Sequence, residues 1–171
     1  DKLGDAQAAA DAWFRLFGLS PSDADARARL RVLLPALERW DQYAEVLGVS
    51  LEGCEGQARV QVLLELADVW GFRLQEPHLA QTYLSQAERA GATWATLHRS
   101  RGELLRVTED WMGLVGHLEG CFEQAGVAER IDFALEACLV SSLQLRDRVR
   151  AARWAVEAMS LGAEVAQMAP Y

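Results

Sequence analysis

The sequence predicts an all-α protein built from stacked helical hairpins, and three observations predict it. Apolar residues recur three or four apart in nearly every segment, and nowhere is there the sustained alternation a strand requires. The chain also lies on itself without a gap at an offset of 71 residues. Leu3, Leu74 and Leu145 fall in register, as do Trp40 with Trp111, Glu38 with Glu109, Leu33-Leu34 with Leu104-Leu105, Leu47 with Leu118 and Leu64-Glu65 with Leu135-Glu136. Ala80 matches Ala151, Ala87 matches Ala158, and Gly91-Ala92 matches Gly162-Ala163. About a fifth of the overlapping positions are identical, the pattern of a tandem array. Finally, the links are short, so successive helices should be antiparallel neighbours. One hairpin cannot bury its apolar face alone, so hairpins must stack into a continuous core.

Each element follows from its own residues. The first helix runs from about Leu3 to Leu19 on alanines with Trp13, Leu16 and Phe17, and stops where Pro21 and the polar residues around it end one helix and cap the next. A second is expected from about Asp23 to Leu37. Glu38-Arg39-Trp40-Asp41 opens a third, whose Trp40, Tyr43, Ala44 and Leu47 share one face. Gly53 and Gly56 break the chain before a helix from about Gln57 to Leu74, where Val60, Leu63, Leu64, Ala67, Val69 and Trp70 cover an arc broad enough for neighbours on two sides. Glu76-Pro77 starts the next, to about Ala90, with an acid and a proline in its first turn. Further helices are expected at about Trp94 to Val107, Glu109 to Gln124, Val127 to Leu145 and Asp147 to Ser160, and Gly162 opens a last partial one.

Composition narrows the function classes. With 171 residues, 51% of them hydrophobic, the chain can bury a sizeable core. No run approaches the length of a membrane span, and no signal-peptide pattern opens the chain, so no membrane insertion is expected. A net charge of −8 argues against a sequence-independent grip on nucleic acid, which needs a concentrated basic surface. Cys54, Cys121 and Cys138 are odd in number and lack CxxC spacing, which favours a reduced compartment; the cytoplasm is expected, with a periplasmic location open if a longer protein carries a signal. Sixteen of the seventeen basic residues are arginine and asparagine is absent, a bias that matches GC-rich bacterial genomes. Asp1 is not a methionine and the repeat opens part-way through a motif, so residues 1–171 are expected to be one continuous repeat segment of a longer protein, its 71-residue superunits starting near residues 3, 74 and 145.

Motif by motif, the hairpins resemble tetratricopeptide repeats. Two hairpins of about 34 to 37 residues make up each superunit, close to that family's period. Leu66-Ala67 followed by Trp70 is similar to the leucine, small residue and aromatic of the family's first helix, and Ala80, Leu84 and Ala87 resemble the small, bulky, small series of its second. Gly4-Asp5, Ala9, Trp13, Leu16 and Pro21 carry the same plan at the start, with Leu16 where alanine is usual. The hairpins beginning near Trp40 and Trp111 depart from it, having Tyr43 and Leu114 in place of the small residue. The resemblance implies a right-handed α-solenoid whose first helices line a concave groove that binds a peptide or protein partner. On that plan the groove residues are Asp25 and Arg29, then Gln61, Glu65, Asp68 and Phe72, then Arg99, Glu103 and Arg106, then Asp132, Glu136 and Leu139. Arg99 and Arg106 could clamp a partner's carboxylates, or pair with Glu103, Glu65 and Glu136 in a solvated network between helices.

Other chemistry is thinner. His117 and Cys121 stand four apart on one helix, in reach of a shared metal with Cys138 on the adjacent one, but cysteines on apolar helix faces are more often small core residues, and no metal or other cofactor is expected. His78 and His98 stand alone and read as surface or cap residues. No nucleophile elbow, zincin, P-loop or dinucleotide motif occurs, and no catalytic residue is assigned. Trp13, Trp40, Trp70 and Trp111 occupy stacking positions; Trp94 and Trp154 stay open. The expectation is a non-enzymatic scaffold or adaptor module that binds a peptide or protein. The alternatives are a spacer or self-assembling array joined through open repeat ends, and a regulatory region of an enzyme whose catalytic domain lies elsewhere.

Overall fold

The computed structural model describes residues 2–162, and everything among them that is regular is helical. The order is α1 (Lys2–Leu19), α2 (Ala24–Ala36), α3 (Trp40–Glu52), α4 (Gly56–Asp68) running into a π-helical turn (Val69–Arg73), α5 (Pro77–Arg89), α6 (Trp94–Val107), α7 (Trp111–Gln124), α8 (Val127–Leu143) and α9 (Arg148–Ser160). The partial helix expected after Gly162 lies outside the described residues.

The 71-residue offset governs the backbone as well as the sequence. Helices α3 and α7 begin at Trp40 and Trp111, α4 and α8 at Gly56 and Val127, and α5 and α9 run over matching spans, Pro77–Arg89 and Arg148–Ser160. The turns repeat too. Glu38 and Glu109 both adopt positive φ, of 55° and 54°, as do Gln75 and Arg146, at 58° and 54°, and Gly91 and Gly162, at 93° and 101°. At the first of these turns the amide after the left-handed residue donates back to a carbonyl five residues earlier, Arg39 to Leu34 and Asp110 to Leu105, the bond that closes a helix C-terminus. This corrects two helix starts: Glu38 and Glu109 do not open the following helices but end the preceding ones, which leaves Trp40 and Trp111 as the first helical residues.

The chain divides into two compact units, residues 1–97 and 98–171. In the first, α1 packs on α2, α2 on α3, α3 on α4 and α4 on α5. Its core holds Phe17, Leu30, Leu34, Tyr43, Val46, Leu47, Leu66 and Val69, with Trp13, Trp40 and Trp70 packed against it. In the second, α7 packs on α8 and α8 on α9 around Leu114, Leu118, Ala134, Ala137, Trp154 and Ala158. Matching positions exchange volume between the two: Leu63, Leu66 and Tyr83 in the first stand where Ala134, Ala137 and Trp154 stand in the second. Lost leucine volume on α8 is filled by the indole from α9 and by Phe122, which meets that indole edge-on with ring centroids 5.5 Å apart. Trp154 is therefore a core residue, 2% exposed.

Candidate functional site

Within the first unit, Arg29 is exposed on α2, and Glu65 sits half-buried at the middle of α4. Both oxygens of Glu65 are already engaged. One carboxylate oxygen accepts from the Arg31 guanidinium on α2 and the other from the Tyr43 hydroxyl on α3. Burial, and then the hydrogen bond to this carboxylate, push the Tyr43 phenol up to about 12. Asp68 is exposed at the end of α4, and Phe72 lies half-buried in the π-helical turn that follows.

In the second unit, Arg99 and Glu103 are exposed on α6. Arg106, at the end of that helix, donates to Glu136 on α8 through two nitrogens, the Nε–H bond being 3.0 Å long. Among the residues expected to face a partner, this is the pair that the structure joins across two helices. The carboxylate repeats, since Glu65 and Glu136 match at the 71-residue offset, but its arginine does not: Arg31 reaches Glu65, whereas Gly102 stands at the equivalent place on α6 and Arg106 replaces it from one turn further on. Gly102 is buried, and the Arg106 guanidinium lies within 3.4 Å of where its Cβ would be.

A second constellation forms where the sequence indicated only half of one. His117 and Cys121 share a face of α7, as their spacing requires, and the third group beside them is His98 from α6. Cys138 on α8 is not part of it. The Cys121 thiol lies 3.2 Å from His98 Nδ1 and 3.5 Å from His117 Nε2, and His117 Nε2–H donates to the His98 carbonyl at 3.0 Å. The two imidazoles stack with centroids 5.5 Å apart, and the edge-to-face contact of His98 with Phe133 of α8, at 4.9 Å, holds its ring. His98 is thus not the isolated surface or cap residue its sequence neighbourhood suggests.

Electrostatics weigh against one chemistry for this cluster. Burial pushes the Cys121 thiol up to about 11, with the Glu136 carboxylate adding to the effect, and burial lowers both His98 and His117 below the usual imidazole range. Both directions favour thiol and neutral imidazole over the thiolate–imidazolium pair of a cysteine nucleophile. The signal that could have found His98 is the repeat itself: His98, His117 and Cys121 stand where the first superunit has Arg27, Val46 and Ser50.

No family model matches this chain, and neither a curated protein nor a solved structure does.

Proposed function

We propose that this chain is a non-enzymatic, tetratricopeptide-like interaction module, a right-handed α-solenoid that binds a peptide or protein partner along the exposed faces of its alternate helices α2, α4, α6 and α8. One observation carries the reading: in each unit an arginine–carboxylate contact bridges alternate helices, α2 to α4 through Arg31 and Glu65, and α6 to α8 through Arg106 and Glu136. Side-by-side first helices are what stacked hairpins produce. The faces these helices offer then differ between repeats. Where α2 carries Ala28, Val32 and Pro35, α6 carries Arg99, Glu103 and Arg106. A rigid frame presenting different side chains needs little ordering on association, so a few anchors decide affinity. Arg99 is the anchor of choice, because Arg106 already serves Glu136.

Selection of displayed random peptides on the chain tests this. The enriched peptides carry acidic residues, and Arg99→Glu weakens them at least about tenfold, the loss of one charge-assisted contact, with the helical circular dichroism unchanged. Enrichment of no peptide, or of peptides indifferent to Arg99→Glu, overturns the reading.

A second reading, self-association through repeat ends, is favoured by α1. Ala80 and Ala87 on α5, and Ala151 and Ala158 on α9, are buried, whereas Ala9 of α1 is half-open and Leu16 is 37% exposed at the matching positions. Ala9 and Trp13 form an apolar cleft with Ala28, Val32 and Leu33 of α2. A hairpin of a second copy would cover it; mass rising with concentration, and abolished by Trp13→Glu, supports this reading over a monomeric module.

A further inference from the structure

The positions that match between superunits are largely those that pack, so departures that cluster in space call for another reason. One such cluster is His98, His117 and Cys121, which stand where the first superunit has Arg27, Val46 and Ser50. Packing does not require them: the first unit closes at the same place with a valine and a serine, whose Oγ–H donates to the carbonyl of Val46 at 2.8 Å.

We propose that His98, His117 and Cys121 form a three-ligand site for a borderline-soft transition-metal ion, zinc fitting best, with a fourth coordination position left open. One ligand atom from each residue lies within 4.8 Å of the other two. In a tetrahedral zinc centre, bond lengths of about 2.3 Å to sulfur and about 2.0–2.1 Å to nitrogen set sulfur and nitrogen roughly 3.6 Å apart. The sulfur–nitrogen separations here are 3.2 and 3.5 Å, so each imidazole already stands at a fitting distance from the sulfur, and the two nitrogens, within 4.8 Å of one another, draw together as the ion binds. Two imidazoles and a thiol select against calcium and magnesium, which take oxygen, and for zinc and its thiophilic neighbours.

Surrounding residues complete the case. Cys121 is 2% exposed, the imidazoles are half-buried, and Phe133 fixes the His98 ring, as a metal site's supporting shell must. Coordination balances simply: the Cys121 S–H proton leaves to solvent as the sulfur–metal bond forms, and His117 exchanges its Nε2–H for the Nδ1–H tautomer, giving up the bond to the His98 carbonyl. One thiolate against a divalent ion leaves a single positive charge near Glu136, which already offsets Arg106.

The inference stands apart from the partner-binding reading and is tested without it. The whole chain is titrated with Co²⁺, followed by its visible bands and by the near-ultraviolet charge-transfer band that reports a cobalt–thiolate bond, and then with Zn²⁺ to displace it. The variants take the residue the first superunit carries at each place: Cys121→Ser, His117→Val and His98→Arg. Expected are saturation at one equivalent, loss of the charge-transfer band in Cys121→Ser, at least tenfold weaker binding in each histidine variant, and full binding in Cys138→Ser and Cys54→Ser. Absence of the band, its survival in Cys121→Ser, or its loss in Cys138→Ser overturns the proposal. If Cys121→Ser loses its helical circular dichroism, Cys121→Ala replaces it. Native mass spectrometry of the unaltered chain gives an independent reading, one retained zinc supporting the site and none overturning it.

Discussion

Glu65 shows how a single residue can be legible in position and illegible in role. Its match with Glu136 was visible in the sequence, and so was the burial of Tyr43, but the bond between them joins α3 to α4 and no local pattern announces it. The bond has a pH consequence. With the Tyr43 phenol raised from 10.0 to about 12, the folded chain keeps a proton that the unfolded chain loses between those values. Its contribution is complete below pH 10 and lost as pH rises toward 12. Chemical denaturation across that range should show stability falling more steeply in the natural chain than in Tyr43→Phe; equal slopes would dismiss the Tyr43–Glu65 bond. His98 is the opposite case. Read alone it has no partner, because its partners arrive from α7 and α8, and only comparison of the superunits marks it as a departure.

At the scale of elements, periodicity located every helix among the described residues, with ends displaced by a few residues where the stop signal was unusual. Glycine is the usual left-handed residue at a helix C-terminus, and Gly91 holds that place after α5; Gly162, read from the sequence as opening a further helix, takes the same conformation after α9. Glu38, Gln75, Glu109 and Arg146 do the same work without that signature, so Glu38 and Glu109 read as helix starts. The π-helical turn after α4 was equally hidden, because Val69 to Arg73 carry the same apolar arc as the helix before them. Backbone geometry predicts opposite outcomes for one substitution at two glycines. Gly91→Ala forces an alanine to φ near 93° and should destabilise by about 1–2 kcal/mol. Gly116→Ala, inside α7 with open space around its Cβ, should stabilise by about 0.5–1 kcal/mol. Thermal unfolding of both distinguishes this from a uniform glycine effect.

For the molecule as a whole, the repeat was the most informative signal because packing within each unit constrains matching positions while side-chain volume moves among them. Leu114, with no exposed surface at the place where the first unit has Tyr43, anchors the second core. Leu114→Ala should cost about 2–5 kcal/mol in denaturant unfolding, and a loss under 1 kcal/mol would refute its anchoring role. Function was less legible for the same reason that the fold was clear. Matching residues report packing, and clues to function are left to those that fail to match, such as Arg99 where α2 has Ala28. The central claim is that alternate helices carry the binding surface. It is tested most directly by mapping amide chemical shifts of the isotopically labelled 18.9 kDa chain on addition of a selected peptide. Shifts concentrated on exposed residues of α2, α4, α6 and α8, around Arg99, are the predicted result; shifts confined to α3, α5, α7 and α9 would contradict it.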